Sequence, residues 1–316
     1  MSTPIFRVLK PGMLSTIQDL GRFGRQNLGV SPCGAMDSFA LRLANRLVGN
    51  SEGLACLEIT LAGAELEVLA DCEIATTGAD LGTHLDSEPL DCWQNCFVRA
   101  GQRLQFSERR RGARTYLGVP GGFLANEVLG SKSTDLKNSW GGHEGRSLLK
   151  GDLLAAVSLV GREERIRRAV RPDVLAEYRH PFLLRVVPRP QGACFPVEQK
   201  NRFFSQEFRI GASSNRMGYR LEGPRLEALP PEILSDATPF GAVQVLPDGQ
   251  AVLLMADRQT VGGYPKIAVV ISADLPKAAQ LCAGHRIRFK EVSLEEAHRA
   301  LTVQEERVAF GVIGRG

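Results

Sequence analysis

The chain has 316 residues, about twice the ~150 of a typical domain, so two domains are expected. With 43% hydrophobic and 23% charged residues it is an ordinary globular sequence, which excludes a disordered, collagen-like or coiled-coil chain. Lys and Arg number 39 against 35 Asp and Glu, and a net charge of +4 is too small for a nucleic-acid footprint unless gathered on one face. The densest basic run, Arg109, Arg110 and Arg111 with Arg114, reads as a solvated loop, so no nucleic-acid partner is expected. No membrane association is expected either: the start of the chain lacks an apolar targeting core, and the apolar run 153–160 is far short of the ~20 residues of a span. Seven scattered cysteines read as reduced thiols of a cytoplasmic protein. Cys92 and Cys96 have only His84 nearby, so no metal site is expected.

Taken in order, the segments are mostly strand-like. A helix is predicted after Asp37, a good N-cap, because Phe39, Ala40, Leu43, Ala44, Leu47 and Val48 recur at helical spacing until Gly49. Short alternating or β-branched runs follow at 57–61, 65–69, 72–76, 96–99, 103–106, 114–119 and 153–157. Turn signals every ~8–12 residues favour barrels or sandwiches over a doubly wound sheet. The stretch 159–181 is charged, proline-bounded and poor in strand formers, and marks the domain boundary. Beyond it, strands are predicted at 182–187, 208–210, 242–245, 251–255 and 266–271, with a short helix at 275–281. The segments 98–108 and 281–291 share Ala-Gly, Arg, an aliphatic residue, Phe and Glu at equal spacing, a hint of two similar halves.

Four loops carry polar groups between glycines. The first, 16–26, holds Gln18, Asp19 and Arg22, suited to clasping an anion or an amide. The second, 76–82, ends a strand with Asp80. The third, 118–123, offers successive backbone N–H groups, but no phosphate-binding or dinucleotide motif is present. The fourth joins 214–220 to 255–266 and concentrates Asn215, Arg216, Asp257, Gln259, Thr260, Gly262, Gly263, Tyr264 and Lys266. Lys266 stands immediately before the apolar run 267–271, at a strand entrance from which its ammonium could hold a carboxylate or phosphate. The alternative is a surface lysine guarding a strand edge. No nucleophile triad is readable around the five histidines.

Together the motifs Gln18-Asp-Leu-Gly-Arg-Phe-Gly, Gly34-Ala-Met-Asp, Leu57-Glu-Ile-Thr-Leu, Thr77-Gly-Ala-Asp-Leu, Gly130-Ser-Lys-Ser-Thr-Asp-Leu, Asn215-Arg-Met-Gly-Tyr-Arg and Asp257-Arg-Gln-Thr-Val-Gly-Gly-Tyr-Pro-Lys resemble one family over nearly the whole chain. It is the allophanate hydrolase subunit 2 family, also described as KipA-like, as the biotin-dependent carboxyltransferase family and as the C subunit of 5-oxoprolinase. The sequence departs from that pattern at Cys33, commonly a small polar residue, and at Val261, where a second threonine is usual. The resemblance implies a mainly β protein with a few short helices, built as two cyclophilin-like β-barrel domains in tandem: 1–165, a linker 166–179, and 180–316.

It also implies one component of an ATP-dependent 5-oxoprolinase, active in complex with a KipI-like B subunit and a LamB/YcsF-like A subunit, opening 5-oxo-L-proline to L-glutamate. ATP with Mg²⁺ is the expected cofactor of that complex. One alternative is a carboxyltransferase component that moves CO₂ from carboxybiotin, carried on another chain, to urea or another amide. Another is a KipA-type regulatory binding protein. Lys266, Arg216 and Asp257 are the candidate catalytic residues. Gln18, Asp19, Arg22, Asp80, Asn215, Gln259, Thr260, Gly262, Gly263 and Tyr264 are the candidates for binding substrate or nucleotide.

Overall fold

The computed structural model describes residues 3–157, 166–175, 183–188 and 190–315. Strands predominate, and the chain divides into two compact units. The first comprises 1–22, 33–176 and 306–316; the second comprises 23–32 and 177–305.

The first unit holds two antiparallel sheets. One runs, in hydrogen-bonded order, Leu153–Ala155, Pro4–Pro11, Ala64–Val68, Arg103–Phe106, Thr83–Leu85 and Glu88–Pro89. The other runs Leu14–Gln18, Cys56–Thr60, Arg111–Gly118, Cys72–Asp80, Gln94–Val98, Arg167–Val170 and Val312–Arg315. Alternation along each strand decides what is buried where. Leu57 and Ile59 join Phe6, Val8, Leu66, Leu104 and Phe106 in one apolar cluster. Glu58, between them, faces the other way, and its Oε2 accepts from Tyr116 Oη at 2.6 Å and from Met36 N at 3.0 Å. The helix Ser38–Leu47 begins at Asp37, whose Oδ1 accepts from Ala40 N at 2.9 Å, and is followed by Gly49 at φ 74°. Asp37 N donates to Tyr116 Oη and Thr77 Oγ1 donates to Ala40 O, which fastens this helix to the second sheet.

The second unit contains a closed barrel of seven strands: Leu183–Pro188, Lys266–Val270, Ala242–Val245, Ala251–Leu254, Gly218–Glu222, Phe208–Ile210 and Arg286–Glu291, which returns to the first by a parallel pairing. Phe203, on the helix Val197–Ser205, stacks on Phe289 with ring centroids 4.5 Å apart and meets Phe208 at 5.7 Å. A separate ribbon pairs Asp236–Ala237 with Val261–Gly262. A register shift between Val243 and Gln244 lies in the ladder that sets Gln244 opposite Lys266. Such an irregularity re-aims side chains at the end of a strand.

The mainly β architecture is the expected one. Several elements depart from the sequence reading: the strands Pro4–Pro11, Leu14–Gln18 and Gly218–Glu222 and the helix Val197–Ser205 were not expected, and Arg114, read as part of a solvated loop, is 5% exposed on Arg111–Gly118. The stretch 166–179, set aside as a linker, contributes the strand Arg167–Val170 and the helix Pro172–Leu175; its last residues, 176–179, lie outside the described residues, as does 158–165 at the end of the expected first domain. Ala169 and Val170 are 3% and 4% exposed, so two small apolar side chains were enough to seat a strand among arginines. The helix Leu294–Phe310 is 17 residues long and was not expected; only Val308 is buried on it, which leaves little apolar periodicity to read.

Candidate functional site

In the first unit, Gln18, Asp19 and Arg22 converge on one loop, residues 131–134. Asp19 Oδ1 accepts from Ser131 Oγ at 2.7 Å, Ser133 Oγ at 2.6 Å and Gly21 N at 2.8 Å, while Oδ2 accepts from Lys132 N at 2.6 Å. The carboxylate is thus spent on structure, clamping this loop. Gln18 Nε2 donates to Thr16 Oγ1 at 3.0 Å and to Thr134 O at 3.3 Å, and its Oε1 is buried without a hydrogen-bond partner among the described residues. Arg22 is 1% exposed; Nε donates to Val128 O at 3.3 Å and Nη2 to Ser133 O, while Nη1 finds no partner among the described residues. No carboxylate among the described residues pairs with it. Gly141 makes room here: at φ 64° a Cβ would stand 2.3 Å from Ser133 O and 2.9 Å from Arg22 Nη2. Asp80 is elsewhere on the unit and caps a turn through Gly82 N at 3.0 Å.

In the second unit, Arg216 and Asp257 form a two-pronged pair, Nε to Oδ2 and Nη2 to Oδ1, both at 2.9 Å. Their side chains are 4% and 14% exposed, and Asp257 N also donates to Arg216 O. The pair therefore ties residues 215–217 to 255–257, a job shared by Met255 N to Met217 O. Asn215 Oδ1 accepts from Met217 N at 2.8 Å and turns the chain into this pairing.

Lys266, first residue of its barrel strand, is 0% exposed, so the strand-guard alternative does not describe it. Its Nζ lies 3.1 Å from Asp236 Oδ2, an ion pair outside hydrogen-bond geometry, and makes no hydrogen bond among the described residues. Gln191 Nε2 donates to the same Oδ2 at 2.8 Å. The Lys266 ammonium, with the Ala237 N–H and Gln191, holds the Asp236 carboxyl below the usual range against the cost of its partial burial. Beside it, Gln259 Nε2 donates to Gln244 Oε1 at 3.3 Å, and Gln244 Nε2 to Tyr264 O at 3.4 Å. Thr238 N donates to Thr260 O, and Ile233 N to Gly263 O. Gly262 lies close against this cluster: a Cβ would stand 2.8 Å from Gln244 Nε2 and would push that amide aside.

The structure thus brings Lys266, Gln259, Thr260, Gly262, Gly263 and Tyr264 around one cluster, and Arg216 with Asp257 and Asn215 into a pairing that adjoins it in sequence. Sequence reasoning missed Asp236, Gln191, Gln244 and Thr238, because Asp236 lies on a two-residue strand and Gln191 on a single 3₁₀ turn, Pro190–Cys194. Ser131 and Ser133 could have been found: their alternating hydroxyls after Gly130 are a donor set for an acid. Burial pushes Cys92 up to about 11 and Cys72 and Cys96 up to about 12, and none of the seven cysteines forms a disulfide. No helix among the described residues is long and apolar enough to cross a membrane.

A family model, the carboxyltransferase domain, subdomain A and B, matches residues 28–291. The chain is 42% identical to the 5-oxoprolinase C subunit of Haemophilus influenzae over 90% of both chains, and 39% identical to the 5-oxoprolinase C subunit of Escherichia coli over 95% of this chain and 96% of that one. The crystal structure of the Kluyveromyces lactis urea amidolyase superposes with a TM-score of 0.90 at 30% identity, covering 98% of this chain but only 20% of that much longer one. These matches run through both units, and the chain belongs to the carboxyltransferase-domain family, with 5-oxoprolinase C subunits as relatives.

Proposed function

We propose that the protein is the C subunit of a cytoplasmic 5-oxoprolinase, working with a KipI-like B subunit and a LamB/YcsF-like A subunit to open 5-oxo-L-proline to L-glutamate. One observation carries this reading: the relatives named as 5-oxoprolinase C subunits match almost end to end, whereas the amidolyase is matched over a fifth of its length. In the reaction water adds to the lactam carbonyl, the ring C–N bond breaks and the nitrogen takes up a proton. This chain's part is to bind and orient. Lys266 is the anion-holding residue, in a site dry enough for one ammonium to count for far more than it would in water. Arg216, held by Asp257, fixes the loop that carries Gln259 and Thr260. Gln18 and Arg22 form a separate polar cluster on the first unit.

ATP would supply the driving force for opening an unreactive amide. The Lys266 donor set does not fit its triphosphate: one ammonium and one amide meeting at one oxygen match a single carboxylate. No group of three His, Cys, Asp or Glu among the described residues is arranged to hold a cation such as its Mg²⁺. We assign the nucleotide to a partner chain. The second reading, CO₂ transfer from carboxybiotin on another chain to urea or a related amide, is favoured by the family model itself.

The test is reconstitution with both partners. ATP-dependent glutamate formation from 5-oxoproline, absent when this chain is left out, supports the proposal. Carboxylation of urea by a biotin-bearing partner, with no lactam opening, would replace it with the second reading.

A further inference from the structure

The two ends of the Lys266–Asp236 pair are unequally buried. Lys266 has no exposed side-chain surface, whereas 42% of the Asp236 side chain is exposed. A buried cation is ordinarily matched by a carboxylate held as deeply and bonded as fully. The Arg216–Asp257 pair of the same unit shows that arrangement, 4% and 14% exposed and joined by two bonds of 2.9 Å; even beside the 31%-exposed Arg185, Asp274 accepts from Nε at 3.0 Å, Nη2 at 2.8 Å and N at 2.8 Å. Asp236 instead sits on a two-residue strand, next to a segment whose Leu234 is 93% exposed, and it meets the ammonium without forming a hydrogen bond.

A second observation comes from Gln191. Its Nε2 points at Asp236 Oδ2, while its Oε1 is buried with no partner among the described residues. An acceptor left unsatisfied in this way keeps the full cost of its lost hydration. Beside a place where two donors meet a carboxylate oxygen, there is therefore an acceptor waiting for an N–H. One chemical class satisfies all of it: a carboxylate with an amide N–H on the neighbouring atom.

We propose that Lys266 and Gln191 form a recognition site for a ligand carboxylate flanked by an amide N–H, and that Asp236 is the internal carboxylate holding that place until the ligand displaces it. The inference rests on the preceding reading for the ligand's identity. A five-membered lactam bearing its carboxylate on the carbon next to the ring nitrogen places both groups side by side. Lys266 takes the carboxylate and Gln191 Oε1 accepts the ring N–H. Urea and the ureido ring of biotin carry no carboxylate at that position, and a phosphate carries no N–H.

The test is titration calorimetry on the full-length chain with 5-oxoproline, 2-pyrrolidinone, which lacks the carboxylate, and acetate, which lacks the N–H. Asp236→Asn removes the competing charge while keeping the size of a half-exposed side chain, and 5-oxoproline should bind about fivefold tighter. Lys266→Met should abolish binding of 5-oxoproline and acetate in either background. Gln191→Leu should weaken 5-oxoproline about tenfold and acetate by less, since acetate loses only the Nε2 donor and not the Oε1 acceptor. Weaker binding by Asp236→Asn, equal binding by Lys266→Met, or no 5-oxoproline binding by any form at millimolar concentration would overturn the proposal. Because no turnover is measured, a complex that fails to open the lactam would remove the preceding reading and leave this site standing.

Discussion

The Asp19 cluster of the first unit and the Lys266 cluster of the second use similar residues to opposite ends. In the first, the acid is consumed: four donors close on Asp19, and the buried Arg22 keeps only backbone carbonyls. In the second, the arginine is consumed: Asp257 takes Arg216 in two-pronged fashion, and Lys266 keeps only a loosely placed acid. Identity therefore does not tell which charge serves structure and which is left for a ligand. The partner does. A charge met by well-directed bonds at both ends is a fastening, and one met by carbonyls alone, or by a half-exposed acid, is available.

The largest expected effect tests the fastening side. Arg216→Ala strands the Asp257 carboxylate, and should lower stability by about 3–5 kcal/mol in urea unfolding. If stability holds while lactam opening by the reconstituted complex collapses, Arg216 moves to the available class. Next is Lys266→Met, expected to slow that reaction about 10²–10³-fold with an unchanged melting temperature. Near wild-type turnover would mean that a buried ammonium here is only packing. Asp19→Ala should cost about 2–3 kcal/mol of stability, since two hydroxyls and two backbone N–H groups lose their acceptor. A drop in activity beyond that expected from partial unfolding would show the loop it clamps to be part of the site.

The smallest effect is a pH dependence. Burial raises the Asp152 carboxyl, but bonds from Arg146 and Leu149 N and the nearby His143 outweigh it, and it falls from 3.8 to about 2. A group depressed in the folded state stabilises fully above its unfolded value and loses that contribution as pH falls from about 4 toward 2. About 2 kcal/mol should disappear across that window, measured by urea unfolding at each pH. Asp152→Asn should remove that part of the acid sensitivity; an unchanged acid slope would assign it to other carboxylates, such as Asp274.

Much of this was readable beforehand. Asp37 with its apolar repeat marked the helix Ser38–Leu47, and Gly-Gly-Tyr-Pro before an apolar run marked Lys266 at a strand entrance, because both signals are local. What could not be read is long-range. Nothing near Asp236 announces that it will meet Lys266, and nothing near Ser133 announces Asp19, 114 positions earlier. The depth of Lys266 was also hidden, since a lysine is almost never fully buried unless paired and its partner lies 30 positions earlier.

The last strand, Val312–Arg315, pairs along its length with Arg167–Val170 in the sheet that has Leu14–Gln18 at its other edge. During synthesis that sheet must wait, its border open, until the whole second unit has left the ribosome. A protease nick placed within 176–182 would consequently leave two polypeptides joined by a β-ladder rather than two free halves. The pair should migrate as one species on a native gel and separate only in denaturant, as a fragment-complementation system does. Shortening the chain before residue 312 should turn the same border into a site of edge-to-edge self-association.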